Sequence, residues 1–591
     1  MLYAEVVSAA AAGLALAVAG YGTGRIVAAK HELSDWEPEK AALETLLGMG
    51  LNALALFLTG IFYWRPITVI ALLALPFLVG LRALFRLRIS FAGLPRTALA
   101  ATLAILLICF LGSFAKPVGD IGNDTISYHL LGPKTWKAEG AIRPVLDHSH
   151  TAMPATVETL FAAGMLISND RSAGFIDMVF FALLLLQVAG FTRKLGGGTN
   201  AMAIAVLLTA AMPLIADFSN NGFVDLAYAC FALAAIRFVV WGAKINSPAV
   251  FGGIFTGLCL GTKYNGLFLA AILIAVYLFD RRDSAQRAAF WMFPLAAVLV
   301  GGGWYLRNWI VLGSPVYPIP QVLAGFFHSA TFPPAAIEGF QEYIAGRGKG
   351  AGRGFGYFLA LPFTLTYFTA AFHGAGGIGL APLGLGPAGL YKVWNRRAVR
   401  TLAAILFFFT LSWYVTQQES RFLIPVVCVF ASLAGIGAEW AWSTASARRR
   451  ILIGAIIAIS VIYGSLVILT DERPRLLWLK GPAADLAAQA TKIPYRTAFQ
   501  YLNQTDAVKR VLILDKLVPT YYLNKPYVKV LGPYGEVPDP SLTSPHVALQ
   551  ETRRLGISHI LMVTPDLDLP AGTNCDTPVF QSPDARVYSC H

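Results

Sequence analysis

Charge is scarce in this 591-residue chain: Asp, Glu, Lys and Arg make up 13% of it, while 56% of the residues are hydrophobic. A soluble domain carries roughly 25% charged residues, so an ordinary soluble globule is excluded. Cysteine is scarce too, at six residues, and no spacing among them resembles a zinc site. The chain has no internal repeat of the kind many transporters carry. No strand is followed by a Gly-rich phosphate fingerprint. Gly346-Arg-Gly-Lys-Gly-Ala-Gly-Arg-Gly354 lacks the Gly-Lys-Ser/Thr ending of a nucleotide loop, and reads as a flexible loop able to order over a bound substrate.

Long apolar runs take the place of charge. From Ala4 to Thr470 they recur at roughly 17 to 25 residues, each long enough to cross about 30 Å of hydrocarbon. They define an α-helical polytopic membrane protein with about fourteen spans: 5–27, 42–62, 66–85, 97–114, 172–192, 200–216, 222–242, 248–261, 264–280, 288–311, 376–392, 401–416, 422–441 and 451–470. The first run has no basic residue before it and is followed by more membrane, so it reads as an uncleaved span and not as a secretion signal.

The charges orient these spans. Arg82, Arg86, Arg88 and Arg96, then Arg193 and Lys194, Arg281, Arg282 and Arg287, Lys392, Arg396, Arg397 and Arg400, and finally Arg448 to Arg450 all fall in short loops on one side. By the positive-inside rule that side is cytoplasmic. The loop 115–171, the loop 313–375 and the tail from Asp471 then share the outer side. Residues 156–168 and 355–371 would break this parity if they crossed, so they are expected to lie on the outer face as interfacial helices. The net charge of +13 belongs to the membrane loops, because residues 471–591 hold thirteen basic against twelve acidic side chains. No nucleic-acid partner is implied.

The expected organisation is N-terminal membrane helices in 1–95 and a membrane core in 96–312 that carries the outer loop 115–171. A loop and further membrane helices in 313–470 follow, and then a small α/β outer domain in 471–591. In the tail, a helix at 497–502, a strand at 511–515, a helix at 548–555 and a strand at 557–563 alternate, which favours a parallel core. Cys575 and Cys590 flank a strand-like segment and are expected to pair; Cys109, Cys230, Cys259 and Cys428 lie in apolar spans as packing residues.

Chemistry is concentrated where the polar residues are. Asp120-Ile-Gly-Asn-Asp124-Thr-Ile-Ser-Tyr128-His129 follows directly on an apolar run, and ionisable groups at a hydrocarbon edge are costly to hold there. The stretch Asp124 to Gly140, with Tyr128, His129, Pro133, Lys134 and Trp136, resembles the first outer loop of GT-C glycosyltransferases that use polyprenyl-phosphate sugars. Pro154 to Leu160 with Glu158 is similar to the piece that follows. Phe223-Val-Asp225 resembles a second acidic motif, and Lys263-Tyr264-Asn-Gly266 a Lys-Tyr/Thr-Gly helix junction. Arg307-Asn308 with Gly313-Ser-Pro315-Val-Tyr317-Pro318, and Glu419-Ser-Arg421-Phe-Leu-Ile-Pro425, complete the set in order, with Phe422 where the family has Tyr.

The resemblance implies a GT-C-like membrane fold and transfer of a sugar from a polyprenyl-phosphate donor to an acceptor hydroxyl. It also implies the bacterial inner membrane, with chemistry on the periplasmic side. A glycan, a glycolipid or a protein would serve as acceptor, and membrane lipids surround the helices. Such transfer needs a carboxylate to take the hydroxyl proton and positive charge to receive the departing phosphate. Asp124 is the expected general base, with Asp120 and Asp225 to orient it or to hold a divalent cation, Mg or Mn. Lys263 and Arg421 are the expected phosphate binders, and Tyr128, His129, Lys134, Glu158, Tyr264, Arg307 and Asn308 the further substrate-binding residues. Glu158 is expected to orient Lys134, and His148 with His150 is close enough in sequence to share a metal. Two readings from other classes remain open at this stage: a transporter or flippase of a lipid-linked or small substrate, and a surface-glycan polymerase or ligase.

Overall fold

The computed structural model describes residues 2–590 apart from 89–92, 118–123, 146–147, 243–247, 282–286, 318, 320–349, 373–376, 494, 516–517, 531–543, 564–568, 570–574 and 576. A helix stands at each expected span. Eight of these helices are long and apolar enough to cross a membrane by length and composition: Leu2–Val27, Glu37–Gly60, Pro66–Leu84, Ser172–Lys194, Trp291–Leu312, Arg397–Val415, Ser420–Thr444 and Ala447–Glu472. The rest, including Arg96–Gly112, Thr199–Ala210, Asp225–Trp241 and Pro248–Thr262, are shorter.

Burial separates the helices by role. Ser172–Lys194, Asp225–Trp241 and Ile424–Thr444 are buried along most of their length and form the centre of the bundle. They are apolar all round, as helices surrounded by other helices are. Pro66–Leu84 and Ala447–Glu472 bury few residues and expose Leu75, Leu78, Ile451 and Ile462, the pattern of a face turned to lipid. Basic residues gather at one end: Arg193 and Lys194 both pair with Asp35 at 2.9 Å, and Arg396 donates to the carbonyl of Leu195 at 2.7 Å.

Two segments expected to lie on the outer face behave differently from each other. Phe355–Leu359 and Leu361–Tyr367 are short helices exposing Phe355, Tyr357, Leu359, Phe363 and Tyr367, as a helix resting in an interface would. Thr156–Ile167 instead has every residue from Thr156 to Met165 buried and packs against Glu37–Gly60, Leu131–Glu139 and Ser172–Lys194. Its polar side chains find partners inside the protein, so it has no wet face to present.

The tail forms a five-stranded sheet, β1 Val511–Ile513, β2 Tyr527–Lys529, β3 His559–Met562, β4 Thr577–Ser582 and β5 Ala585–Ser589, in the order β2-β1-β3-β5-β4. β1 runs parallel to both β2 and β3, with Leu512 opposite Val528 and Ile560. The hairpin of β4 and β5 joins antiparallel at the β3 edge, and Cys575 is disulfide-bonded to Cys590. Arg496–Gln504 supplies the expected first helix. The second is shorter than expected, Pro545–Gln550, because the chain goes over into turns before Gly556, whose φ of +64° ends any helix.

The tail is seated on the end of the bundle away from Arg193 and Lys194. Tyr522 donates to the carbonyl of Pro117 at 2.5 Å, and Tyr521 to Asp170, which Lys116 also holds at 2.8 Å. Arg171 pairs with Asp485 at 2.6 Å, tying the segment that leads into the tail to the start of Ser172–Lys194.

Candidate active site

Four helix ends meet beneath the tail. Asp124 opens the π-helical turn Thr125–His129, which runs into Leu131–Glu139. Asp225 is the first residue of Asp225–Trp241. Lys263 stands in the break between Pro248–Thr262 and Asn265–Arg281, where Gly266 permits the close turn: a Cβ there would sit 2.3 Å from the carbonyl oxygen of Cys259. Arg421 lies in the 3-10 turn Ser420–Leu423 ahead of Ile424–Thr444, whose start is fixed by Pro425 in its first turn.

These ends pair carboxylates with cations. The Arg421 guanidinium reaches Asp124 Oδ2 at 2.7 Å and also holds Glu419 Oε2 through Nη2 and Nε, at 2.7 and 2.8 Å. One planar fork thus bridges two carboxylates through N–H groups fixed on separate edges, a geometry the compact ammonium of lysine lacks. Tyr128, one helical turn after Asp124, donates its hydroxyl to the same Oδ2 at 3.1 Å. Lys263 Nζ donates to Asp225 Oδ1 at 2.7 Å and lies 5.0 Å from the centre of the Phe422 ring. Burial pulls the Lys263 ammonium below its ordinary pKa; Asp225 opposes this strongly, Arg421 adds to it, and Asp124 opposes it. The two ion pairs therefore form one electrostatic unit, with Asp225 2% exposed and Asp124 and Arg421 each 7% exposed.

A third pair lies beside them. His129 Nδ1 and Glu158 Oε1 are 2.7 Å apart, and both residues are buried. Burial pushes the Glu158 carboxyl up to about 8 and the His129 imidazole well below its usual value, so at neutral pH the pair is a neutral acid bonded to a neutral imidazole. His129 Nε2 and Glu158 Oε2 have no hydrogen-bond partner among the described residues. Tyr128 forms the wall between this pair and the neighbouring histidines, its ring 4.2 Å from His129 and 5.2 Å from His150 between centres. Lys529 of β2 comes close enough to His148 to add to the lowering that burial and His150 impose. The tail therefore borders the site directly.

The remaining expected site residues lie elsewhere. Lys134 does not meet Glu158; its ammonium is held by the carbonyls of Tyr521 and Leu523 at 2.5 and 2.9 Å and by Asn524 Oδ1 at 3.0 Å. It anchors the tail. Arg307 and Asn308 both donate to the carbonyl of Ala152, at 2.7 and 2.8 Å, and Asn308 reaches the Tyr264 hydroxyl, which donates to the carbonyl of Tyr317 at 2.5 Å. These three hold the turn Ser149–Ala152, which carries His150, and so set a wall of the site. Asp120 lies outside the described residues. Glu419 stands in the Glu419-Ser-Arg421 motif with no expected role, yet it is the second carboxylate on Arg421; its place two residues before that Arg is the available signal.

Among the described residues no group of three or more His, Cys, Asp and Glu side chains converges to hold an ion, and Asp124 and Asp225 each already face a cation. A cavity of ≈ 330 Å³ lies among Leu361–Tyr367, Leu380–Val393, Arg397–Val415 and Ile424–Thr444; Leu406, Val426 and Phe430 make its wall apolar, and Leu423, two residues after Arg421, also lines it.

No family model and no curated protein matches the chain. Solved structures do. ArnT from Cupriavidus metallidurans in the apo state superposes with a TM-score of 0.51 at 15% identity, covering 83% of this chain and 97% of that one. The same protein bound to undecaprenyl phosphate gives 0.51 at 14%, with the same coverage. An oligosaccharyltransferase from Archaeoglobus fulgidus, in the apo form, reaches 0.42 at 14%, over 79% of this chain and 69% of that one. The likeness to ArnT over nearly its whole length gives this chain the GT-C fold of a multi-pass membrane protein.

Proposed function

We propose that this protein is a membrane glycosyltransferase that moves a sugar from a polyprenyl-phosphate donor to an acceptor hydroxyl on the periplasmic side of the bacterial inner membrane. The observation that carries the reading is the Asp124–Arg421 pair at 2.7 Å, with Lys263–Asp225 behind it, in a bundle whose apolar cavity is lined by Leu423 of the same turn as Arg421. A carboxylate and two cations within one buried unit are what a proton acceptor and a phosphate site require. The fold is shared with a protein whose structure was solved with undecaprenyl phosphate.

The prenyl chain would lie in the apolar cavity and its phosphate would face Arg421 and Lys263. Phosphate oxygens compete with Asp124 for the Arg421 guanidinium, so donor binding frees the Asp124 carboxylate while Glu419 keeps the arginine in place. The acceptor oxygen attacks the anomeric carbon as Asp124 takes its proton. The bond from that carbon to the phosphate oxygen breaks with inversion, and its electron pair stays on the polyprenyl phosphate, where Arg421 and Lys263 receive the charge. Asp225 keeps Lys263 protonated and oriented, and the His129–Glu158 pair with Tyr128 supplies hydrogen-bonding groups for a sugar or the acceptor.

The test is sugar release by the purified protein from a panel of radiolabelled polyprenyl-phosphate sugars, with a chelator in a parallel lane. Transfer from at least one donor is expected. Loss of it with chelator would add a divalent cation, Mg or Mn, to the site, and absence of both binding and release across the panel would sink the reading in favour of transport.

A further inference from the structure

Asp177 lies in the second turn of the membrane helix Ser172–Lys194, 2% exposed, where an ionisable residue is expensive to keep. None of the motifs includes it. Its Oδ2 accepts three successive backbone N–H groups, from Asn221 at 3.2 Å, Gly222 at 2.5 Å and Phe223 at 2.9 Å. That run of donors is the turn immediately before Asp225. Gly222 adopts φ +77°, a left-handed conformation that brings three N–H groups to one point, and a Cβ there would come within 3.1 Å of Thr125, the residue after Asp124.

The same turn is held from its other side. Asn220 donates to the carbonyl of Cys109 at 2.8 Å and to Glu472 Oε1 at 2.9 Å, while Arg475 donates to the carbonyl of Asn220 at 2.5 Å. The turn also presents Phe223, whose ring is 5.9 Å from the Arg421 guanidinium and 5.8 Å from the His129 ring between centres. One short stretch of backbone therefore touches Thr125 beside Asp124, leads into Asp225, and walls Arg421 and His129.

We infer that Asp177 is a positioning residue: by gathering the N–H groups of Asn221, Gly222 and Phe223 it fixes the distance and angle between the Asp225–Lys263 and Asp124–Arg421 pairs. It touches no substrate. The role rests on the transfer reaction proposed above, since it is the reacting geometry that this turn would set. Removing the carboxylate leaves three buried donors unsatisfied and frees the turn to shift. A misplacement of about 1 Å from a residue remote from the chemistry can lower turnover by 10²-fold.

The experiment compares wild type, Asp177→Ala and Asp177→Asn in detergent, measuring kcat and KM for the donor per folded molecule, and amide hydrogen exchange across residues 219–225. Asp177→Ala is expected to lose at least tenfold in kcat with donor KM changed by less than twofold. Asp177→Asn, which keeps an acceptor oxygen, is expected to recover most of that loss. Should Asp177→Ala not fold, Gly222→Ala strains the same turn and is expected to give the same split. Wild-type kcat per folded molecule in Asp177→Ala, or in Gly222→Ala where that variant takes its place, or no rescue by asparagine, overturns the inference. If wild type itself transfers from no donor, the proposed function fails, and exchange then decides this point alone. Exchange at 221–223 at least tenfold faster in the variant that folds sustains the positioning role, and unchanged exchange overturns it.

Discussion

Replacing Arg421 with lysine keeps the positive charge and removes the fork. In the structure one guanidinium makes three contacts, one to Asp124 and two to Glu419, all between 2.7 and 2.8 Å. A lysine ammonium has a shorter reach and gathers its donors on one nitrogen, so it cannot reproduce all three of these contacts. At least one charged hydrogen bond is then lost, worth about 1.5 to 3 kcal/mol, and little of this is screened because the side chains of Arg421, Glu419 and Asp124 are 7%, 3% and 10% exposed. The same fork is the proposed phosphate clamp, so Arg421→Lys should weaken binding of polyprenyl phosphate and lower kcat/KM by roughly 10- to 150-fold. Affinity is read by competition with a labelled donor and kcat/KM by sugar transfer. A double-mutant cycle with Asp124→Asn isolates the pair itself and should give a coupling of about 1 kcal/mol or more in thermal unfolding. Arg421→Lys within threefold of wild type in both affinity and kcat/KM, together with additive effects in the cycle, would refute this account of Arg421.

Two further outcomes follow from the site and the tail. Glu158 holds its proton up to about 8 in the folded protein because it is buried, whereas an exposed glutamate loses it near 4.3. The folded state thus binds the extra proton between these values, and the stability this group contributes is full below the unfolded pKa and is lost as pH rises through about 8. Melting temperatures in detergent between pH 5 and 9 should fall on the alkaline side, and Glu158→Gln should flatten that slope; an unchanged slope would contradict the assignment. In the tail, the Cys575–Cys590 bond closes a separation of 15 residues, for which the chain-entropy model gives about 3 kcal/mol. Urea unfolding followed by hydrogen exchange at β3 and β5 should show a loss of that order in Cys590→Ser, and none would refute it.

How much could be read from the sequence depended on the range of each interaction. Apolar run length is local, so a helix stands at every expected span, and strands 511–515 and 557–563 lie where their β-branched and aliphatic runs predicted. Polar residues in an apolar chain stand out, which is why Asp124, Asp225, Lys263 and Arg421 could be named before any contact was known. Partnership is not local. His129 meets Glu158 across 29 residues, and Lys134 meets Tyr521 across 387; nothing in either stretch marks the other. The burial of Thr156–Ile167 had the same cause, since an apolar helix reads alike whether lipid or protein surrounds it. Asp177 was hidden for a different reason: it lies within an otherwise apolar run and its partners are backbone groups, which leave no trace in side-chain pattern. β2 is three residues long and offers too little pattern to be read as a strand.

In the proposed reaction Asp124 takes the proton from the acceptor. Asp124→Asn is close to isosteric and leaves Arg421 paired with Glu419, so the bundle should still fold, less stable by about the 1 kcal/mol of the lost pair, and should bind the donor at least as tightly as wild type because the competitor for Arg421 is gone. Loss of a general base lowers turnover by about 10² to 10⁴-fold. The decisive measurement is single-turnover sugar transfer from a polyprenyl-phosphate donor by wild type and Asp124→Asn, with donor binding measured on the same samples. A fall of that size with donor binding no weaker than in wild type is the predicted result; transfer by Asp124→Asn at a rate within threefold of wild type would contradict the account.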